Sequence, residues 1–374
     1  TDADSEHCPH DVVSMIDLRR PSPFIDLAAV EAWDAWFRWR EKADLHDLSI
    51  EDTWRRVSAT LASVEPGGET ATWQTRFMDA LASWRLLPDE RLLASAGTGR
   101  TTHQDGVLHA SLNAAGFVSL TPATGASIDL AALRDCAALA VRALDNAALQ
   151  ASIAAPRLRI GMIGIADALA LLGLHYDSGS GRTQATAMAR ALAEGCLHGS
   201  ILLAAARGSY GREVHVSIAR AKLRGLPEEL LHAATLHGLR HVQLTAITSQ
   251  PRLALLANDV ADAVDPLREK NHAHVIAASH GQRTTVHSSG YARNILHACG
   301  SEPENISDTL PGLSWKAQIA MRAVLQPWMD EPIDYPLLAT NDLGEAQRLE
   351  TRKLAADQGL SEPTWREVAE LQPL

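Results

Sequence analysis

Sixteen histidines and four cysteines are the side chains of this sequence best suited to chemistry. The densest histidine group is His272-x-His274, followed by His280 and His287. Residues two apart on a strand share one face, so a hairpin over 272–290, turning at His280 and Gly281, would aim His272 and His274 the same way. A metal is conceivable there, since imidazole is a common transition-metal ligand. No acid completes a ligand spacing nearby, so a surface or structural role is expected and no metal site is assigned. His7-Cys8-Pro9-His10 could hold an adventitious metal, but it sits in a polar stretch, 1–23, that reads as a loose arm.

The thiols are Cys8, Cys136, Cys196 and Cys299. Their wide spacing gives neither a CxxC pair nor a disulfide framework. Cys136 and Cys196 have apolar helical neighbours and read as core. Ser111, Ser249 and Ser279 lack the Gly-x-Ser-x-Gly elbow of a hydrolase. The sequence also has no Walker A loop and no complete GxGxxG. Trp33, Trp36 and Trp39 stand at helical spacing and read as packing or a partner interface before a cofactor platform.

The elements that must position these groups are mainly helical. A helix is expected through IDLAAVEAWDAWFRWREKA. Another opens at Ser49, with Asp52 three residues on in a capping-box arrangement. TWQTRFMDALASWRLLP makes a third, closed by Pro88. GVLHASLN reads as a short strand or the start of a helix. IDLAALRDCAALAVRALDNAAL is an amphipathic helix. RLRIGMIGIADALALLGLHYD, 157–177, reads as a buried helix with Gly161 and Gly164 on one face and Gly173 as its left-handed cap. Asp177 or Ser178 then starts a long helix reaching Ala206. PEELLHAATLHGL is helical, and HVQLTAIT, 241–248, is the best strand. Pro251 opens a helix, SWKAQIAMRAVLQPWMDEP is a helix broken near Pro327, and the polar stretch around Glu345 to Lys353 is a solvated helix.

Composition bounds the function. The chain has 374 residues, 46% hydrophobic and 21% charged, with a formal net charge of −11. That balance is globular, and it argues against nonspecific nucleic-acid binding, which needs a basic footprint, while leaving room for a local basic pocket. The acidic polar start TDADSEHCPHD is no secretory leader, and the apolar run at 157–177 is too interrupted to span a bilayer. A cytoplasmic protein without membrane association is expected.

Four stretches, in order, resemble the large subunit of ribonucleotide reductases, especially the adenosylcobalamin-dependent class. FMDALASWRLLPDERLLASAGT, 77–98, shares Pro88, Ala96, Gly97 and Thr98 with a family helix and Pro-Asn-Ser-Pro turn ending in Ala-Gly-Thr. ASLNAAGFVSL and the helix to 147 share Ser111, Asn113, Leu144, Asp145 and Asn146. RLRIGMIGIAD shares Arg159, Ile160, Gly161, Gly164, Ala166 and Asp167. RHVQLTAITSQ, 240–250, resembles the strand before the family's substrate-phosphate loop, and SWKAQIAMRAVLQPWMDEPID is similar to a later helix.

What the resemblance implies chemically is then missing. The family's radical cysteine lies in an Asn-x-Cys-x-Glu loop between the Ala-Gly-Thr and Ser-x-Asn landmarks. Only GRTTHQDGVLHA, 99–110, separates them here, and it has no cysteine. A redox cysteine's place is taken near Val107, and the final EVAELQPL carries no cysteine pair. The phosphate loop is altered to Thr248-Ser249-Gln250-Pro251-Arg252, which keeps hydroxyls and a helix start, gains a cation and loses an amide donor at Pro251.

The resemblance therefore implies a mostly α fold with an α/β remnant: a truncated ribonucleotide-reductase-like barrel, 97–374, preceded by a helical N-terminal unit, 1–96. The expected function is noncatalytic, a binding or regulatory role, with a residual nucleotide or anion pocket near Ser95, Thr98, Thr248, Ser249 and Arg252. The alternative is a ribonucleoside-diphosphate reductase completed by a partner chain or repurposed. No cofactor is assigned; adenosylcobalamin enters by resemblance alone. Uncovered sheet edges and helix faces imply a homo-oligomer or a dedicated protein partner.

Overall fold

The computed structural model describes residues 24–42, 44–100, 105–121, 125–210, 214–301, 309, 313–339 and 344–366. Cys8, the 1–23 arm and the final residues lie outside them. Asp26 accepts the Ala28 N–H and starts α1, Leu27–Ala32. A wide turn at Trp33–Phe37 follows, with the Arg38 N–H bonded back to Trp33. Arg38 is extended (φ −66°, ψ 124°), so the first helix stops well short of the sequence expectation. The pair β1, Arg40–Glu41, and β2, Asp44–Leu45, leads to α2, Ile50–Ala62. Asp52 accepts the backbone N–H groups of Ser49 and Leu48, as the capping spacing predicts. Next come α3, Thr70–Ala82, β3, Leu86–Pro88, and α4, Glu90–Ser95. Pro88 therefore ends a strand and not a helix.

The stretch left open in the sequence is a strand, β4, Val107–Asn113. After β5, Val118–Thr121, and β6, Gly125–Ile128, comes α5, Leu130–Gln150. The apolar run at 157 begins as a strand, β7, Arg157–Ile163, and only then becomes α6, Ile165–Leu171. This corrects the buried-helix reading. β7 pairs in parallel with β4 over its whole length, Val107 with Arg157 through Asn113 with Ile163. A strand covered on both faces shows no polar alternation, which is why the run looked helical. Gly161 meets a segment alongside: a Cβ there would stand 2.5 Å from the Ala246 carbonyl oxygen. Gly164 takes φ +68° at the strand-to-helix corner, where a Cβ would stand 2.4 Å from Asn113 Oδ1.

Gly173 is left-handed after α6, and Ser178 accepts the Gly181 N–H to open α7, Gly179–Arg207, both as expected. Helices α8, Val214–Leu223, and α9, Glu228–His237, pack on its outer end around Leu197, Ile201, Leu231 and Leu239. The chain continues through α10, Pro251–Leu256, the hairpin β8, His272–Ala277, and β9, Arg283–Ser288, then α11, Tyr291–Ala298. It ends with α12, Trp315–Leu325, a short turn at Gln326–Trp328, β10, Leu337–Leu338, α13, Glu345–Asp357, and β11, Trp365–Arg366.

One core cluster runs from Ala28 in α1 through Phe77, Leu108, Leu144 and Leu158 to Tyr335, so residues on both sides of position 97 share it. Burying a leucine such as Leu144 contributes about 2 kcal/mol. Trp33 and Trp36 belong to this core; their indole N–H groups donate to Thr53 Oγ1 and to the Ala277 carbonyl, both at 3.0 Å. Among the described residues the ladders form one three-stranded sheet, β3-β4-β7, and four two-stranded ones, without closure into a barrel. No described helix is long and apolar enough to cross a membrane.

Candidate functional site

The segment HVQLTAIT does lie beside β7, but as one parallel bridge, Ile160 with Thr245. The expected strand stops there for a physical reason. The Leu244 and Thr245 N–H groups donate to the Asp330 carboxylate at 2.8 and 3.1 Å, and Thr245 O accepts from the Asp330 and Glu331 N–H groups. The segment around Asp330 thus occupies the edge where a ladder would continue.

This segment delivers the turn Thr248–Gln250 to the start of α10. Ser249 Oγ donates to Asp262 Oδ2 at 2.5 Å, and the Gln250 N–H donates to Asp262 Oδ1 at 2.6 Å. Thr248 Oγ1 accepts from the Gln250 side-chain amide at 3.0 Å. Arg252 donates to Glu90 on α4 at 2.9 Å and lies 5.4 Å from the Trp36 ring. Ser249 and Arg252, two of the groups expected to hold an anion, are thus holding the protein's own carboxylates. Ser95 and Thr98 close their own helix: Ser95 Oγ donates to Arg91 O at 2.5 Å and Thr98 Oγ1 to Ser95 O at 2.7 Å. Thr248, Ser249 and Arg252 come together around the first turn of α10. Glu90, on the same short helix as Ser95, ties α4 to that turn through Arg252.

The residues after α10 are where charge converges, and sequence reading missed them. Asn258, Asp259 and Ala263 take left-handed φ values of +66°, +60° and +48°. Such conformations persist only where surroundings impose them. Here Asp167, fully buried on α6, accepts the Ala261 and Ala292 N–H groups at 2.6 and 3.0 Å, and Gly164 N–H donates to Ala261 O at 2.8 Å. Burial pushes the Asp167 carboxyl up to about 6.

The twisted loop sends Asp259, Asp262 and Asp265 toward a cavity of about 100 Å³ that they line with Arg268, His274 and Arg366. Arg366 donates to Asp262 at 3.2 Å and Asp265 at 3.1 Å, and Tyr335 donates its hydroxyl to Asp265 at 3.1 Å. Burial and the neighbouring Asp262 charge push Asp265 up to about 7 in spite of Arg366. Burial also raises Asp262. Asp259 behaves oppositely: burial works against its charge, but the hydrogen bonds from His272 and His274 hold it well below the usual carboxylate range. Those bonds run from each histidine Nε2 to a different oxygen, at 2.8 and 2.9 Å. The acid absent from the local spacing is thus Asp259, thirteen residues before His272. The ligand atoms of the three lie within 4.8 Å of one another. His280 bonds Gln282, and exposed His287 meets Asn271 O at 3.4 Å; neither joins the group.

A second polar centre lies between α5 and α7. Asp145 accepts from Arg207 at 2.7 Å, from His241 at 3.0 Å and from Arg240 at 3.1 Å. Asn146 donates to Leu61 O and Glu65, and Glu65 takes both donors of Arg142 at 2.7 and 2.9 Å. Despite burial, these partners hold Asp145 down at about 2.

The model of the ribonucleotide reductase barrel domain matches residues 108–335, more than half of the chain. The chain belongs to that family. The match runs from β4 through Tyr335 and takes in Asp145, Asp259, Asp262, Asp265 and the Thr248 turn, while Arg366 and Glu65 lie outside it. The stretch 77–98, with Ser95 and Thr98, lies outside the matched residues. No curated protein matches the chain.

Proposed function

We propose that this ribonucleotide reductase relative keeps the family scaffold as a noncatalytic binding or regulatory protein. The observation that carries the reading is the state of the three thiols among the described residues, Cys8 lying outside them. Cys196 is wholly buried on α7, and burial raises its thiol far above the ordinary range. Cys136, on α5, is pushed up to about 12 by burial. It lines a groove of about 560 Å³ between α3, α5 and α7 whose carboxylates are Asp79 and Asp135 and whose lining contains no side-chain amide. Cys299 is exposed at the end of α11. A thiyl reaction needs a thiol beside an amide and a carboxylate in a substrate cavity, and these surroundings do not fit an adenosylcobalamin-fed radical.

The reading places a residual anion subsite at Thr248, Ser249 and Arg252, with Ser95 and Thr98 on the neighbouring α4 segment. A nucleotide phosphate there has to displace Asp262 from the turn and Glu90 from Arg252, so binding is weak. It also places a homo-oligomer contact or a dedicated protein partner on an apolar face. Val216 and Leu223, seven residues apart on α8, and Leu236 on α9 are exposed large side chains that support this.

The decisive assay incubates the purified chain with ribonucleotides, adenosylcobalamin and a dithiol. The expected result is no deoxynucleotide. Product from the chain alone overturns the reading, and product only after adding a chain with an Asn-x-Cys-x-Glu loop replaces it with the completed-enzyme alternative.

A further inference from the structure

We propose that Asp259, His272 and His274 form a binding site for one divalent transition-metal cation of the zinc type, open toward the cavity that Asp259 and His274 line. The argument begins with proton positions. His272 Nδ1 is 2.6 Å from the Glu269 carbonyl oxygen, which can only accept, so Nδ1 carries the hydrogen. In the neutral ring Nε2 is then a bare lone pair, and it stands 2.8 Å from Asp259 Oδ2, a second acceptor. Two acceptors at that distance need a cation between them, either a proton or a metal. A histidine whose outer nitrogen donates to a backbone carbonyl is the usual way a ligating imidazole is fixed.

His274 is arranged differently. Its Nδ1 lies 3.3 Å from Arg268 Nη1, a donor only, so Nδ1 accepts and Nε2–H reaches Asp259 at 2.9 Å. Metal binding moves that proton to Nδ1 and turns Arg268 away. Two of the hydrogen bonds holding Arg268, to His274 and to Ala273 O, are both long at 3.3 Å, so the movement is small.

The site is preorganised. The side chains of Asp259, His272 and His274 are 7%, 9% and 8% exposed. The hairpin fixes both histidines by pairing His272 with Ser288 and His274 with Val286. Asp259 is held at its backbone by Leu255 O and the Tyr291 N–H, both at 3.1 Å. Rigid support of this kind keeps ligands near coordination geometry. Two imidazole nitrogens and one carboxylate select zinc, cobalt or nickel over magnesium and calcium, which favour all-oxygen sets. Three protein ligands leave a position for water or a small anion, and Arg268 and Arg366 line the same cavity.

The test uses the full chain carrying C8S and H10Q, which removes competition from His7-Cys8-Pro9-His10. After stripping with a chelator, equilibrium dialysis against Zn²⁺ should leave one ion per chain, and Co²⁺ should produce visible absorption bands. His272→Gln and His274→Gln should each lower Zn²⁺ affinity by about 100-fold or more, while His287→Gln on the exposed edge of the hairpin leaves it unchanged. Circular dichroism of each variant reports folding. If the histidine variants do not fold, the unaltered trio is still read directly: its thermal midpoint should rise with Zn²⁺, stay put with Mg²⁺ and fall back on chelation. No stoichiometric Zn²⁺, or folded His272→Gln that binds as tightly as its parent, overturns the site and leaves His272 as a protonated partner of Asp259.

Discussion

Asp145 and Asp265 are both carboxylates removed from water, at 0% and 3% exposure, yet their surroundings treat them oppositely. Around Asp145 the guanidinium groups prevail. Arg207 and Arg240 converge on it with the His241 ring, and the nearby Glu65 shares Arg207 and takes Arg142 besides. Around Asp265 three acids meet in one loop, and a single guanidinium, that of Arg366, bonds both Asp262 and Asp265. The first centre lowers its carboxyl to about 2, the second raises one to about 7. Burial alone therefore does not decide protonation; the ratio of partners does. The Asp145 centre is satisfied and serves to lock α5 against α7. In the loop after α10 one carboxyl, Asp265, is held in its neutral form up to about 7 at the wall of a cavity, the kind of perturbation that marks a candidate site.

Removing Asp145 should have the largest effect. Asp145→Ala leaves Arg240 buried without a carboxylate partner and Arg207 with Glu65 alone, and stability should fall by about 3–5 kcal/mol. Urea unfolding that shows a loss under about 1 kcal/mol would break the distinction between the two centres. Gly161→Ala drives a methyl into Ala246 O and separates the Thr248 turn from β7; about 1–3 kcal/mol should be lost, read by thermal unfolding.

The pH profile sharpens the contrast. Asp265, protonated up to about 7 when folded, favours the folded state fully below the ordinary carboxylate pKa, and that preference disappears as pH rises from about 4 to about 7. Asp145, held at about 2, favours folding above about pH 4 and loses its contribution as pH falls toward 2. Asp265→Asn should therefore flatten the stability curve between pH 4 and 7 by about 1–2 kcal/mol, and Asp145→Asn should flatten it only below pH 4. The smallest effect is Ser249→Ala, which removes one hydrogen bond to Asp262 and should cost about 1 kcal/mol. A change far above that would mean the turn depends on Ser249 more than on Gln250.

Local signals carried much of the fold. The Ser49 and Asp52 pair, the Ser178 cap and Pro251 mark helix starts that depend on neighbours in sequence, and the 272–288 hairpin is set by its own alternation and turn. What failed were features settled by distant partners. Residues 157–163 are a strand because β4 lies beside them, and 241–248 stops at one bridge because Asp330, more than eighty residues on, takes its N–H groups. His272 and His274 were visible as a pair, whereas Asp259 was hidden by spacing and by a left-handed loop that composition does not announce. Ser249 and Arg252 were legible as donors; Asp262 and Glu90 as their partners were not.

Trp36 donates to Ala277, Asp26 accepts from Ser288 at 2.5 Å and from Asn294 at 3.0 Å, and Ile25 N–H donates to Asn258 at 2.8 Å. The first described helix is thus fastened to residues more than two hundred positions later. On a ribosome these fastenings cannot form until the hairpin and α11 have emerged. Trp36 lacks its Ala277 partner through most of synthesis, and closure of this end is a late event of long sequence separation.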